Sequence, residues 1–109
     1  MDRDPDVEAL VTFLSTKEGG RRTPARSGYR PAHAVRDDYL TTGVQRFLDR
    51  EWVAPGETVR AHITFVSPEH YPHCLWPGKV INVQEASHVV GQAEIICILN
   101  PQLLAAKAE

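Results

Sequence analysis

The run from Val59 to Phe65 constrains this chain more than any other. Val59, Ala61, Ile63 and Phe65 alternate with Arg60, His62 and Thr64, leaving one face apolar and one wet, the period-two pattern of a half-buried strand. Ala54-Pro55-Gly56-Glu57 opens it as a turn, since proline presets φ and glycine accepts the left-handed position. Pro68 closes it. A strand so clearly patterned needs neighbours along its edges, because unpaired edges invite aggregation.

The rest of the chain offers them. Val7, Ala9, Val11 and Phe13 repeat the alternation over residues 7–14. Tyr29 to Asp37 reads as extended, with Pro31 confining it to a sheet edge or a bulge. Thr42 to Leu48 predicts a shorter strand. Lys79 to Glu85 and Val89 to Leu99 predict two more, joined at Ala86-Ser87-His88. Loops lie between, over 15–27 and, broken by Pro68, Pro72 and Pro77, over 68–78. Gln102 to Glu109 predicts a short helix or a frayed end. Six short strands and no long helix predict an all-β fold, an antiparallel barrel or sandwich. The 109 residues suit one domain spanning 1–109, with a polar lead-in at 1–5, the sheet over 6–99 and a tail at 100–109.

A hydrophobic fraction of 42% with 24% charged residues is that of an ordinary globular chain. No run approaches the roughly 18 apolar residues of a membrane span, and the first residues lack the basic and apolar parts of a secretory signal. A cytoplasmic location and no membrane partner are therefore expected. Cys74 and Cys97 suggest reduced thiols rather than a disulfide framework, Cys97 as a small hydrophobe within Ile95-Ile96-Cys97-Ile98-Leu99. The net charge of −2 argues against a polycation. Yet Lys17, Arg21, Arg22, Arg26, Arg30 and Arg36 concentrate half of the basic residues in one early stretch, either a solvated loop or a surface for an anionic partner.

That stretch reads Glu18-Gly19-Gly20-Arg21-Arg22-Thr23-Pro24, then Gly28-Tyr29-Arg30-Pro31. The glycine pair permits close backbone approach, the prolines hold the flanks extended, and Arg21 and Arg22 are left to project toward phosphate or carboxylate. With Thr42-Gly43, Pro55-Gly56-Glu57, Ser67-Pro68, Gly78, Gln84-Glu85 and Val90-Gly91, it resembles the third, C-terminal β-barrel domain of elongation factor Tu and related translation GTPases, over about residues 6–99. The resemblance implies a six-stranded antiparallel barrel without catalysis of its own. In that family the barrel packs on the GTPase domain and the middle barrel, holds the T-stem of aminoacyl-tRNA and contacts the exchange factor. Arg21, Thr41 or Thr42, and Glu85 match partner-side positions.

This chain departs from the family where partners bind. Val80, Gln84 and His88 stand at three arginine positions, Ala86-Ser87 at a glycine pair, and Ala32 at a glutamine. Each lost phosphate contact lowers affinity and its salt dependence. No Gly-x-x-x-x-Gly-Lys-Ser/Thr loop is present, so no nucleotide is expected to bind this chain by itself. The expectation is a non-enzymatic binding module with no cofactor. Its partner is a protein or a second copy, or alternatively tRNA or another RNA bound by the basic stretch 17–36. The candidate contact residues for either are Arg21, Arg22, Arg26 and Arg30 in that stretch, with Thr42 and Glu85 outside it.

Two further features bear on partners. If Val89, Gly91, Ala93, Ile95 and Cys97 face the core, then Val90, Ile96 and Ile98 form an apolar outer surface. Trp52 and Trp76 either join it or cap the core. His70, His73 and Cys74, with His62 or His88 as a fourth ligand, offer zinc-type donors but not the spacing of a zinc finger, so the loop is expected to be a polar connection without metal. No triad-like constellation is legible from spacing.

Overall fold

The residues that alternate in sequence also alternate in burial as far as Ile63, after which Thr64 is buried as well. Val59, Ala61, Ile63 and Phe65 face the core while Arg60 is exposed and His62 half-buried. The computed structural model describes residues 3–105. Eight strands follow in chain order: β1 (Val7–Phe13), β2 (Ala25–Arg26), β3 (Ala32–Arg36), β4 (Tyr39–Phe47), β5 (Trp52–Val53), β6 (Thr58–Phe65), β7 (Val80–Glu85) and β8 (His88–Ile98). Single 3-10 turns occupy Pro68–His70 and Pro101–Leu103. Six strands close into an antiparallel barrel in the order β1-β6-β4-β3-β7-β8, and β2 pairs with β5 as a separate ribbon. The expected six-stranded barrel is thus present, and closure gives β6 a partner on each edge, β1 and β4.

Differences from the expected elements have local causes. The Thr42–Leu48 strand lengthens to Tyr39–Phe47 because Asp37-Asp38 alone turns the chain between β3 and β4. Pro31 sits on no free edge. Its carbonyl accepts from the Gly43 N–H at 3.1 Å, but proline has no N–H to return the bond. The β3–β4 ladder therefore stops at Ala32 and resumes only as the bridge Tyr29↔Gln45.

β8 carries two bulges, and they correct the expected facing of its side chains. Val83 opposes Gly91 and Gln84 opposes Val89, so Val90 has no residue opposite. Likewise Glu8 opposes Cys97 and Ala9 opposes Ile95, leaving Ile96 extra. Each inserted residue advances the in–out phase by one. Between the bulges Gly91, Ala93 and Ile95 point inward as expected. Val90, expected outside, is fully buried; Ile98, expected outside, packs against the core; and Cys97, expected inside, is exposed. Of the proposed outer set only Ile96 is exposed.

The 68–78 loop is not a polar connection. Tyr71, Cys74 and Leu75 are buried and plug the barrel together with Leu103. The tail holds them there: Leu75 N–H donates to the Leu103 carbonyl at 3.0 Å and Ala105 N–H to the Leu75 carbonyl at 2.8 Å. In place of a helix the tail makes the Pro101–Leu103 turn, while 106–109 lie outside the described residues. The other terminus is fixed by Asp6, whose buried carboxylate accepts from Phe65 N–H at 2.7 Å, Asn100 Nδ2 at 2.9 Å and both terminal nitrogens of Arg3 at 3.0 and 2.9 Å. Among the described residues no helix is long and apolar enough to cross a membrane.

Candidate functional site

The basic stretch folds back on the barrel. Gly20 lies so close to β1's end that a Cβ there would sit 2.2 Å from the Leu14 carbonyl oxygen, so the glycine pair serves close approach. Arg21 is thereby brought over the β7–β8 turn. Its guanidinium pairs with the Glu85 carboxylate, lies 4.8 Å from the centre of the Tyr29 ring, and donates to the Thr23 carbonyl at 3.2 Å and the Pro24 carbonyl at 3.3 Å. Tyr29 also donates its hydroxyl to Glu85. Burial raises the Glu85 pKa, but the hydrogen bonds from Tyr29 and Arg21 outweigh it and hold the carboxylate below its usual value. Burial, then the bond to Glu85, raises the Tyr29 phenol. His88 closes the contact with a hydrogen bond between its Nε2 and the Gly19 carbonyl. Arg21 therefore does not project; it staples the loop down.

The other candidates are dispersed. Arg26 donates to Glu51 at 2.6 Å and lies 5.6 Å from the Trp52 ring on the β2–β5 ribbon. Arg36 donates to the Pro72 carbonyl at 3.2 Å. Lys17, Arg22 and Arg30 are exposed and enter none of the ion pairs found among the described residues. Thr42 is exposed on β4, whereas Thr41 points inward, its hydroxyl 3.0 Å from that of Tyr71. Arg21, Tyr29 and Glu85 thus form one cluster, and among the described residues Arg22, Arg26, Arg30 and Thr42 do not join it by any side-chain hydrogen bond or ion pair.

A second feature was not legible in the sequence. β3 and β7 pair only at Ala32↔Gln84 and His33↔Val83, and beyond these the strands diverge. The divergence leaves a groove of about 440 Å³ whose walls include Ala34, Tyr39, Leu40 and Val80. Leu40 is 49% exposed and Val80 52%. Lys79 reaches into the opening and donates to the Val35 and Cys74 carbonyls, each at 2.7 Å, and burial lowers its pKa. Its ammonium also sits 4.5 Å from the ring of Trp76, itself exposed. Both tryptophans therefore lie on the surface beneath cations rather than capping the core.

The zinc-type donors do not converge. His70 is exposed, His73 Nδ1 bonds to the Leu104 carbonyl at 2.9 Å, and burial raises the pKa of the Cys74 thiol. His62 faces Glu8 at 3.3 Å on the outer wall. Among the described residues no group of three or more His, Cys, Asp or Glu is placed to hold a metal. The chain matches no model of a known protein family.

Proposed function

We propose that this chain is a non-enzymatic binding module, built like the terminal barrel that it resembles in elongation factor Tu, and that it takes a protein partner on the outer wall around β3 and β7. The observation that carries this reading is the groove at the diverging seam, where Tyr39, Leu40 and Val80 are exposed between the polar side chains of Arg36, Asp37, Asp38, Asn82 and Gln84. Exposed apolar side chains gathered at one concavity are the usual mark of a protein interface. The fate of the arginines supports the same reading, since Arg21, Arg26 and Arg36 satisfy acceptors of this chain. The position that is arginine in the family is here Val80, which lines the groove.

The test is capture from native lysate on the tagged chain, with protein and RNA assayed separately at low and moderate salt. A specific protein, retained at moderate salt and lost with Leu40→Lys plus Val80→Lys, supports the proposal. Retention by that double variant refutes the assignment to the groove. The rival is RNA binding through Lys17, Arg22 and Arg30, which keep exposed charges. It predicts RNA capture that falls steeply with salt and is lost in Arg22→Ala with Arg30→Ala.

A further inference from the structure

The barrel has a weak seam, and an ionisable side chain is buried in it. β1 pairs with β8 along its whole length, from Val7 to Phe13, whereas β3 and β7 pair only at Ala32↔Gln84 and His33↔Val83, with Lys79 Nζ bridging to the Val35 carbonyl farther along. His33 is fully buried. Its Nε2 lies 3.0 Å from Gln45 Nε2, and its ring stands edge-on to Phe65 with centroids 5.4 Å apart. Gly43 makes room for it, since a Cβ there would come within 2.9 Å of the ring. The His33 Nδ1 and Gln45 Oε1 atoms have no hydrogen-bond partner among the described residues. A second proton on this ring would be a cation in an apolar wall.

We propose that the β3–β7 seam is an acid-operated opening in the barrel, in which protonation of His33 drives the two strands apart and widens the groove between Leu40 and Val80. Among the described residues no opposing charge is at hand to prevent it. The inward neighbours on β4 are Thr41, Gly43 and Gln45, on β6 Ile63 and Phe65, and on β7 Val83 and Ile81, none of them ionisable. Tyr71, behind Phe65 with ring centroids 6.4 Å apart, is pushed up to about 12 by burial and stays neutral in acid. Lys79, farther along the seam, is cationic. Arg36, Asp37 and Asp38 lie on the outer wall.

Burial lowers His33 from 6.5 to about 4, and the nearby backbone of Thr41 and Pro31 offsets only part of this. A group with a depressed histidine pKa makes the closed state bind fewer protons than the open one. Closure is therefore strongest above about pH 6.5, weakens as pH falls, and stops weakening near pH 4. If the open seam returns the ring to water, opening becomes on the order of 20-fold more favourable between pH 7 and pH 5.

Amide hydrogen exchange on the intact chain tests this, with wild type and His33→Phe compared at each pH so that intrinsic exchange cancels. The ratio of wild type to variant in β3 and over residues 80–82 should rise about 20-fold from pH 7 to pH 5, while amides of β1 and β8 do not follow. Asp37→Asn with Asp38→Asn should leave that rise intact. A ratio independent of pH, or a rise abolished by the aspartate variants, overturns the proposal. Should His33→Phe not fold, NMR titration of the wild-type ring decides. A ring neutral to about pH 5, with seam amides exchanging faster relative to β1, upholds the proposal. A ring protonating near pH 6.5 with the seam unchanged overturns it.

Discussion

Asp6→Ala should be among the most damaging single changes in this barrel, although the residue lies outside every strand. Its carboxylate is fully buried and answers Phe65 N–H, Asn100 Nδ2 and Arg3. Removing it leaves the Phe65 amide, at the end of β6, without an acceptor in the core, which costs about 1–3 kcal/mol. The bond from Asn100 Nδ2 goes with it, worth about 1 kcal/mol more. The backbone bonds from the Leu99 and Asn100 N–H groups to the Asp6 carbonyl remain, so the loss is about 2–4 kcal/mol. For a domain of this size that is a fall in Tm of at least about 8 °C. Arg3→Ala is the control. The Arg3 side chain is 43% exposed, water can replace it, and the carboxylate keeps Phe65 and Asn100, so the loss should be about 1–2 kcal/mol. Urea unfolding at neutral pH measures both. The reasoning fails if Asp6→Ala costs under 1 kcal/mol, or if Arg3→Ala costs as much as Asp6→Ala.

Two further outcomes follow from backbone geometry. Ala86 occupies the β7–β8 turn at φ 55°, a left-handed conformation that costs an L-residue about 1 kcal/mol. Ala86→Gly should therefore raise stability by about 0.5–1 kcal/mol in thermal or chemical unfolding, and a decrease would mean that the turn prefers another conformation. Gly43→Ala should cost about 1–3 kcal/mol by driving a methyl into the His33 ring and Ile63. The cost should shrink in a His33→Ala background, where the ring is gone, and equal costs in both backgrounds would place the strain elsewhere.

How much of this was legible in the sequence depended on whether period two was unbroken. β1 and β6 alternate in sequence without interruption, and their apolar core residues were read correctly from Val7 to Phe13 and from Val59 to Phe65, although Thr64, read as wet, is buried. β8 was not readable in this way, because two bulges shift its phase and the residues around them, Val89-Val90 and Ile95-Ile96, are apolar on both sides of the shift. Nothing in such a run marks which residue is the extra one. The plug was missed for a different reason. Tyr71, Cys74, Leu75 and Leu103 belong to segments with no periodicity, and their burial comes from backbone pairing between two irregular stretches. The β3–β7 groove was invisible because strand divergence is a property of pairing, not of composition. For the site, the Gly-Gly-Arg and Gly-Tyr segments were recognised, but their joint purpose on Glu85 required the β7–β8 turn to be placed above them.

Arg21 is the point at which the two readings of function separate. To meet a phosphate it would have to leave Glu85, the Thr23 and Pro24 carbonyls and the face of Tyr29. A partly exposed ion pair contributes up to about 1 kcal/mol, the cation–π contact about 0.5–1 kcal/mol and the carbonyl bonds about 1 kcal/mol more. Releasing Arg21 thus costs about 2–3 kcal/mol, comparable with what one charge-assisted hydrogen bond to phosphate returns. Arg22 and Arg30 bear no such cost. Arg21→Ala should accordingly destabilise the loop by about 2 kcal/mol and raise hydrogen exchange across residues 16–24, while scarcely changing the salt slope of any RNA binding. Arg22→Ala should do the reverse. If Arg21→Ala flattens the salt slope by about one unit and leaves loop exchange as it was, the guanidinium serves a ligand rather than the fold, and the RNA reading displaces the protein one.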